Sequence, residues 1–290
     1  MKKSLLVVHP YTDYEPGRFL EDGLRKIGFK LSLFTHGVDF NLVNQNMYDA
    51  VLFIESPWRL PDPVLNIHKV RIPRLYWVVH GESRIDFNVH KAREYRANYV
   101  LLANSTHLAN RYGAPCYPLP MAVNPVYFPG KLPLAYRPYD ISFIGNVEPK
   151  VFYGERNALL EIIKHNFPQR NLYFKTGLYL ERMGQIYGNS KIVFNWNYMN
   201  ILTARPFEGM AAGALMLTNH AKGIEILGPN RWDYVVYRSP EDLIDKINFY
   251  LANLPKAQKV ASNGYKRVLT QHTYEHRAQE LELILKQFIK

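Results

Sequence analysis

The run Thr203-Ala204-Arg205-Pro206-Phe207-Glu208-Gly209-Met210-Ala211-Ala212-Gly213 combines the residue types that bind a phosphorylated ligand without a metal. Pro206 suits the first turn of a helix and Gly213 its end. The unpaired N–H groups and positive dipole end of such a helix can receive a pyrophosphate, and Arg205 adds a charged donor. Glu208, in the same first turn, can accept hydrogen bonds from two ribose hydroxyls. The plainer reading is an ordinary crossover helix in which Glu208 only complements the dipole.

Three further places carry chemistry. In Leu75-Tyr76-Trp77-Val78-Val79-His80-Gly81-Glu82, His80 ends an apolar run, where an imidazole can position a hydroxyl, move a proton, or serve only as a hydrogen-bonded structural residue. The polar loop from His9 to Gly17 contains Tyr11, Asp13 and Tyr14 and suits an acceptor. Thr176-Gly177-Leu178-Tyr179 lies between a strand-like and a helix-like segment, at the edge where ligands bind in open sheets; Gly177 there allows close backbone approach or simply a turn. His272 and His276 have the spacing of a helical zinc pair, but Thr273 reads as an N-cap between them and no third ligand is evident. There is no D-x-D pair of the kind that holds a cation on a diphosphate. Neither a metal nor a cofactor is expected.

These residues need a scaffold. Short apolar runs at Leu5–Val8, Leu31–Thr35, Ala50–Ile54, Leu75–Val79, Tyr99–Ala103 and Cys116–Leu119 read as strands covered on both faces. Helix-length segments separate them, among them Arg18–Ile27 and Thr106–Tyr112, the latter with Ser105 as N-cap. Prolines crowd residues 118–138, which predicts an interdomain connector. The alternation resumes with strands at Ile141–Ile144, Leu172–Lys175, Ile192–Trp196, Ala214–Thr218 and Tyr234–Tyr237 and a helix at Glu155–Asn166. The pattern predicts an α/β protein of two doubly wound parallel-sheet domains. A last helix from about Tyr274 sets Leu281, Ile284, Leu285 and Phe288 on one face, which suits packing back across to the first domain.

The 290 residues fit two domains, and 47% hydrophobic content excludes a disordered chain. The net charge of +11 is spread along the chain, with 17 basic and 11 acidic residues before position 138. That balance favours anionic ligands over a basic tail. The segment 67–96 is locally basic and includes Arg84, a candidate for an anionic acceptor, although a solvated helix face explains such charge equally well. The single Cys116 fits a reducing, cytoplasmic location, and the first apolar run is too short for a signal or membrane span.

Several segments, in order, resemble the retaining glycosyltransferases of the GT-B fold, family 4 type, and within them the CgeB-like spore-maturation group. The Thr203–Leu217 run resembles the family's nucleotide-sugar signature. Phe143-Ile144-Gly145-Asn146 resembles the glycine turn opening its C-terminal domain. Ser190-Lys191-Ile192-Val193-Phe194-Asn195 and Leu269–Arg277 resemble a late strand and the start of the terminal helix. Asn104-Ser105 and Leu119–Pro129 resemble the family's N-terminal turn and linker. The resemblance implies domains at 1–125 for the acceptor and 126–272 for the donor, facing a cleft, with 273–290 returning to the first. It implies that Glu208 holds the ribose, that Lys150 and Arg205 or Arg156 meet the diphosphate, and that Gly177 and Leu178 line the nucleobase pocket. Pro206, Phe207 and Gly209 belong to the same donor motif. The first motif glutamate is replaced by Asn200, and Asn146 stands where an arginine is common. His80 corresponds to the histidine contacting the donor sugar and acceptor.

The expectation is a metal-independent retaining transferase moving a sugar from a nucleotide-diphosphate sugar to a hydroxyl. The acceptor classes are a cell-envelope or spore polymer, a protein, or a hydroxymethylated DNA base, with no stable membrane insertion. The alternatives are an isomerase like nucleotide-sugar 2-epimerases and a noncatalytic protein binding nucleotide sugars or nucleic acid.

Overall fold

The computed structural model describes residues 2–56, 59, 63–130 and 132–289. The chain divides into two compact units, one formed by Met1–Ala122 with Tyr274–Lys290 and the other by Val123–Thr273.

Unit 1 runs β1 (Ser4–Val8), α1 (Pro16–Lys26), β2 (Lys30–Phe34), β3 (Val38–Asp39), β4 (Ala50–Ile54), β5 (Val64–Leu65), β6 (Arg74–Val78), α2 (Ile85–Glu94), β7 (Tyr99–Leu102) and β8 (Cys116–Pro118). Among the described residues, six parallel strands form a sheet in the order β2-β1-β4-β6-β7-β8, and β3 pairs with β5. Apolar runs such as Ala50–Ile54 are buried throughout, as a sheet covered on both faces requires.

Unit 2 runs β9 (Tyr139–Ile144), α3 (Lys150–Asn166), β10 (Leu172–Lys175), α4 (Leu180–Gly188), β11 (Ser190–Asn195), α5 (Arg205–Ala211), β12 (Leu215–Asn219), β13 (Val235–Tyr237), α6 (Pro240–Ala252) and α7 (Leu254–Gln271). Its parallel sheet has the order β10-β9-β11-β12-β13. Each sheet reverses its order once, between β1 and β4 in unit 1 and between β9 and β11 in unit 2. Ligands in such sheets bind outside the carboxyl ends of the strands at this switch point.

Helix α8 (Tyr274–Lys286) packs along α1 in unit 1. Phe288 beyond it stacks on Tyr99 at 3.6 Å, and the Arg277 guanidinium donates to the carbonyls of Pro120 and Met121. At Gly23 a Cβ would overlap the Tyr274 carbonyl, so the two helices meet through a glycine.

Two expectations need correction. Residues 106–111 form a 3-10 helix, not an α-helix, and Ser105 sits at φ +56° without capping it. Its hydroxyl is directed to the Asn104 side chain instead. Most of the proline-rich segment belongs to unit 2 and is not a free connector. Leu134 and Phe128 are buried, and Gly130 and Gly184 sit against the backbones of Ala212 and Tyr127.

Candidate functional site

The loops after β9 and β11 flank the switch point of unit 2, and two arginines bridge them. Arg205, first residue of α5, donates from Nε to the Ile144 carbonyl (3.0 Å) and from Nη1 to Asn195 Oδ1 (2.6 Å). Arg156, from α3, donates from Nη1 to the Asn146 carbonyl (2.6 Å) and reaches the Trp196 carbonyl at 3.5 Å. Its guanidinium lies among the rings of Tyr153, Trp196 and Phe143, at 4.5, 5.3 and 5.4 Å, and Arg205 also rests over Phe143 at 4.7 Å. Arg156 is buried, and its Nε has no partner among the described residues. Burial and the charge of Arg205 push its pKa down to about 9. Among the described residues neither arginine forms an ion pair, an expensive arrangement for a buried cation unless an anion arrives.

Gly145 explains how Arg205 comes so close, because a Cβ there would overlap the guanidinium. Glu208 lies three residues on from Arg205, so the two share one face of α5. Its carboxylate has no side-chain hydrogen bond among the described residues, and burial pushes its pKa up to about 7 although Arg205 opposes the shift. The remaining motif residues have other surroundings. Pro206 is buried, Phe207 is buried against the His272 ring at 5.6 Å, and Gly209 lets α5 approach Val193 and Met216 of the sheet.

The structure thus brings Gly145, Asn146, Arg156, Arg205 and Glu208 to one strand edge. Lys150 is the exposed first residue of α3, on the loop from the same edge. Gly177 has φ +71° with open space around it, and Leu178 is half-buried beside it, on the loop after β10. Asn200, at φ +55°, is exposed on the loop after β11, and its carbonyl receives the Lys222 N–H. Among the described residues no three His, Cys, Asp or Glu side chains gather as a metal group.

In unit 1 the switch point holds a second polar network, and its centre, Glu55, is a residue that sequence reading passed over. Glu55 follows β4 and is buried; its Oε2 accepts the N–H groups of Val79 and His80, both at 2.7 Å, and its Oε1 accepts Arg84 at 3.1 Å. Asn88 donates to the His80 carbonyl, and Asn104 bonds to Val79 and Gly81. The turn carrying His80 is therefore held from three sides. His80 Nδ1 is buried without a partner, and burial lowers the ring's pKa, which keeps it neutral near pH 7.

The Ser56 hydroxyl donates to Glu15 at 2.9 Å, and burial raises the pKa of that carboxyl. His9 Nε2 meets Glu21 Oε1 at 2.5 Å, both fully enclosed, pinning α1 to the end of β1. Tyr11 receives Arg18 on its hydroxyl and Arg59 on its carbonyl, and Asp13 is exposed nearby in the chain. A charged residue directly after a buried strand at a switch point is the signal that could have found Glu55. Part of the basic segment 67–96 is committed internally: Lys69 to Asn41, Arg74 to backbone carbonyls, Arg84 to Glu55, and Lys91 to Glu94.

Residues 139–282 match the family model described as glycosyl transferase-like. No curated protein matches the sequence. Among solved structures, sucrose-phosphate synthase from Thermosynechococcus elongatus is similar at 13% identity and TM-score 0.66, over 98% of both chains. Anabaena Alr3699/HepE, solved with UDP and glucose, is similar at 12% identity and TM-score 0.63, over 99% of this chain and all of that one. T4 phage β-glucosyltransferase is similar at 12% identity and TM-score 0.60, over 99% of each. The arginine pair, the Gly145 turn and Glu208 all lie inside the family match, which spans most of unit 2 and the first part of α8, and the chain is a glycosyltransferase of the GT-B fold.

Proposed function

We propose that the protein transfers a sugar from a UDP-sugar, bound at the β9/β11 switch point, to an acceptor hydroxyl, without a metal and with retention at the anomeric carbon. The observation that carries the reading is the arginine pair joining two strand ends, with no carboxylate in an ion pair with it among the described residues. Such a pair is preorganised for a diphosphate, and each charge gains most as the leaving group develops negative charge. The solved complexes of similar fold with UDP support uridine as the base.

Arg205 and Arg156 hold the diphosphate, with Lys150 adding charge from the loop. The Gly145-Asn146 turn lets the phosphate approach the backbone, and Glu208 accepts the ribose hydroxyls. Gly177 and Leu178 flank the base, and Asn200 bonds a sugar hydroxyl. On unit 1, His80 positions the acceptor, with Tyr11, Asp13 and Arg84 around it. The bond from the anomeric carbon to the phosphate oxygen breaks, the acceptor oxygen takes its place on the same face, and its proton passes to the departing diphosphate. This retaining course rests on the sequence resemblance. The acceptor is an envelope or spore polymer, a protein or a modified DNA base. Among the described residues no helix is long and apolar enough to cross a membrane, and we place the reaction in the cytoplasm.

Calorimetry with UDP-glucose and UDP-N-acetylglucosamine tests the site. Arg156→Lys and Arg205→Ala should each weaken binding at least tenfold, and unchanged affinity in both rejects it. Donor turnover followed by NMR tests the reaction. Transfer or slow hydrolysis to the donor's own anomer, unaffected by EDTA, is expected. Epimerised donor, an inverted product or binding without turnover contradicts the proposal.

A further inference from the structure

The loop between β12 and β13, together with α6 and α7, borders an open cavity of about 510 Å³ on unit 2. This lies within the roughly 300–1,000 Å³ usual for small-ligand pockets. Two large aromatic side chains on its wall face solvent, Trp232 at 52% exposure and Phe249 at 44%. Each carries an ammonium group over its ring: Lys259 is 5.1 Å from the Trp232 centroid and Lys256 is 5.0 Å from that of Phe249. Arg231 lines the same cavity, close enough to Tyr250 to act on its hydroxyl.

Among the described residues none of these three cations has a carboxylate partner. Of the two carboxylates in the wall, Asp242 is already engaged by Lys246 and by the Arg238 N–H, whereas Asp245 is exposed. The cavity thus offers apolar ring surface, an excess of positive charge and hydrogen-bonding groups together. It shares no residue with the β9/β11 edge. Trp232 precedes β13, at the opposite end of that strand from the edge where the arginines converge.

We infer that this cavity binds an acidic oligosaccharide, with sugar rings laid on Trp232 and Phe249 and acidic groups held by Arg231, Lys256 and Lys259. The apolar face of a sugar ring lies on aromatic surface that the lysine does not cover, and the ammonium held over each ring swings out to meet the acidic substituent. Single-stranded nucleic acid also uses aromatic platforms and cations, and the hydroxyl donors of a glycan distinguish the two at the wall carboxylates. Asp242 and Asp245 can accept hydrogen bonds from sugar hydroxyls, of which a glycan offers several per residue, whereas a deoxyribose inside an oligonucleotide has none free. The site stands on unit 2 alone and does not depend on the donor reading.

The test titrates tetragalacturonate and a heparin tetrasaccharide into the full chain, followed by tryptophan fluorescence and calorimetry, with oligo(dT) at the same ionic strength. Saturable binding of at least one acidic glycan is expected, weaker at higher salt. It should fall at least tenfold in Trp232→Ala and in the Lys256→Ala/Lys259→Ala double variant. UDP-glucose affinity and melting temperature should be unchanged in both, since all three side chains are exposed. Absence of saturable glycan binding, equal binding in the variants, or tighter binding of oligo(dT) overturns the inference. Loss of UDP-glucose binding in the wild-type chain with glycan binding intact rejects the donor reading and leaves this one standing.

Discussion

Glu208 is a carboxyl group whose surroundings favour the neutral form, with a pKa near 7. A carboxyl raised in the folded state costs stability as pH climbs from the ordinary glutamate range to about 7, so the protein should be less stable at pH 8 than at pH 5.5 on this account. Glu208→Gln should flatten that trend, measured by melting temperature across the range. Donor binding should show the reverse dependence: UDP-glucose, whose diphosphate diester does not titrate near neutrality, should bind more tightly as pH rises through 7. Glu208→Gln should abolish that dependence in calorimetry. Glu55 tests the other unit. Its removal leaves two backbone N–H groups without their acceptor and Arg84 with only the Ser56 carbonyl, so Glu55→Ala should cost unit 1 about 3 kcal/mol in denaturant unfolding. Glu55→Gln should lower kcat about tenfold while leaving donor affinity unchanged, because it disturbs the His80 turn alone.

At the scale of elements, close approaches decide what can be changed. Gly145→Ala should displace Arg205 and weaken UDP-glucose binding about tenfold without lowering the melting temperature of unit 1. Gly23→Ala should separate α1 from α8 at a cost of roughly 3 kcal/mol, read from chemical denaturation of unit 1. Strands were legible in the sequence because a parallel sheet buried on both faces demands unbroken apolar runs, and Ala50–Ile54 is one. The segment 106–111 misled because Ser105 looks like an N-cap, while its side chain is occupied by Asn104 in a left-handed turn. At the site, Arg205 and Glu208 could be read from one contiguous motif. The cage around Arg156 could not, since Phe143, Tyr153 and Trp196 come from three elements that meet only in the folded sheet. Glu55 escaped for the same reason, all its partners being more than twenty residues away.

For the molecule as a whole, the excess of positive charge is spread along the chain and includes a locally basic segment at residues 67–96. The structure commits Arg74, Arg84 and Lys91 of that segment internally, and on unit 2 the switch point and the cavity beside Trp232 hold cations that have no carboxylate partner among the described residues. Unit 1 is discontinuous, with α8 supplied from beyond unit 2. Removing residues 274–290 should therefore lower the melting temperature of unit 1 by several degrees or more and spare UDP-glucose binding by unit 2, checked by calorimetry on the truncated chain. The two crossings between units lie side by side, with the Val123 N–H bonded to the His272 carbonyl at 3.0 Å. This connectivity also imposes an order on biosynthesis. Every residue of unit 2 is synthesised before α8, so the second unit is the first to have all its elements. The first must wait, with the α1 face uncovered, and during translation it is unit 1, although its strands are made earliest, that would need shelter by a chaperone.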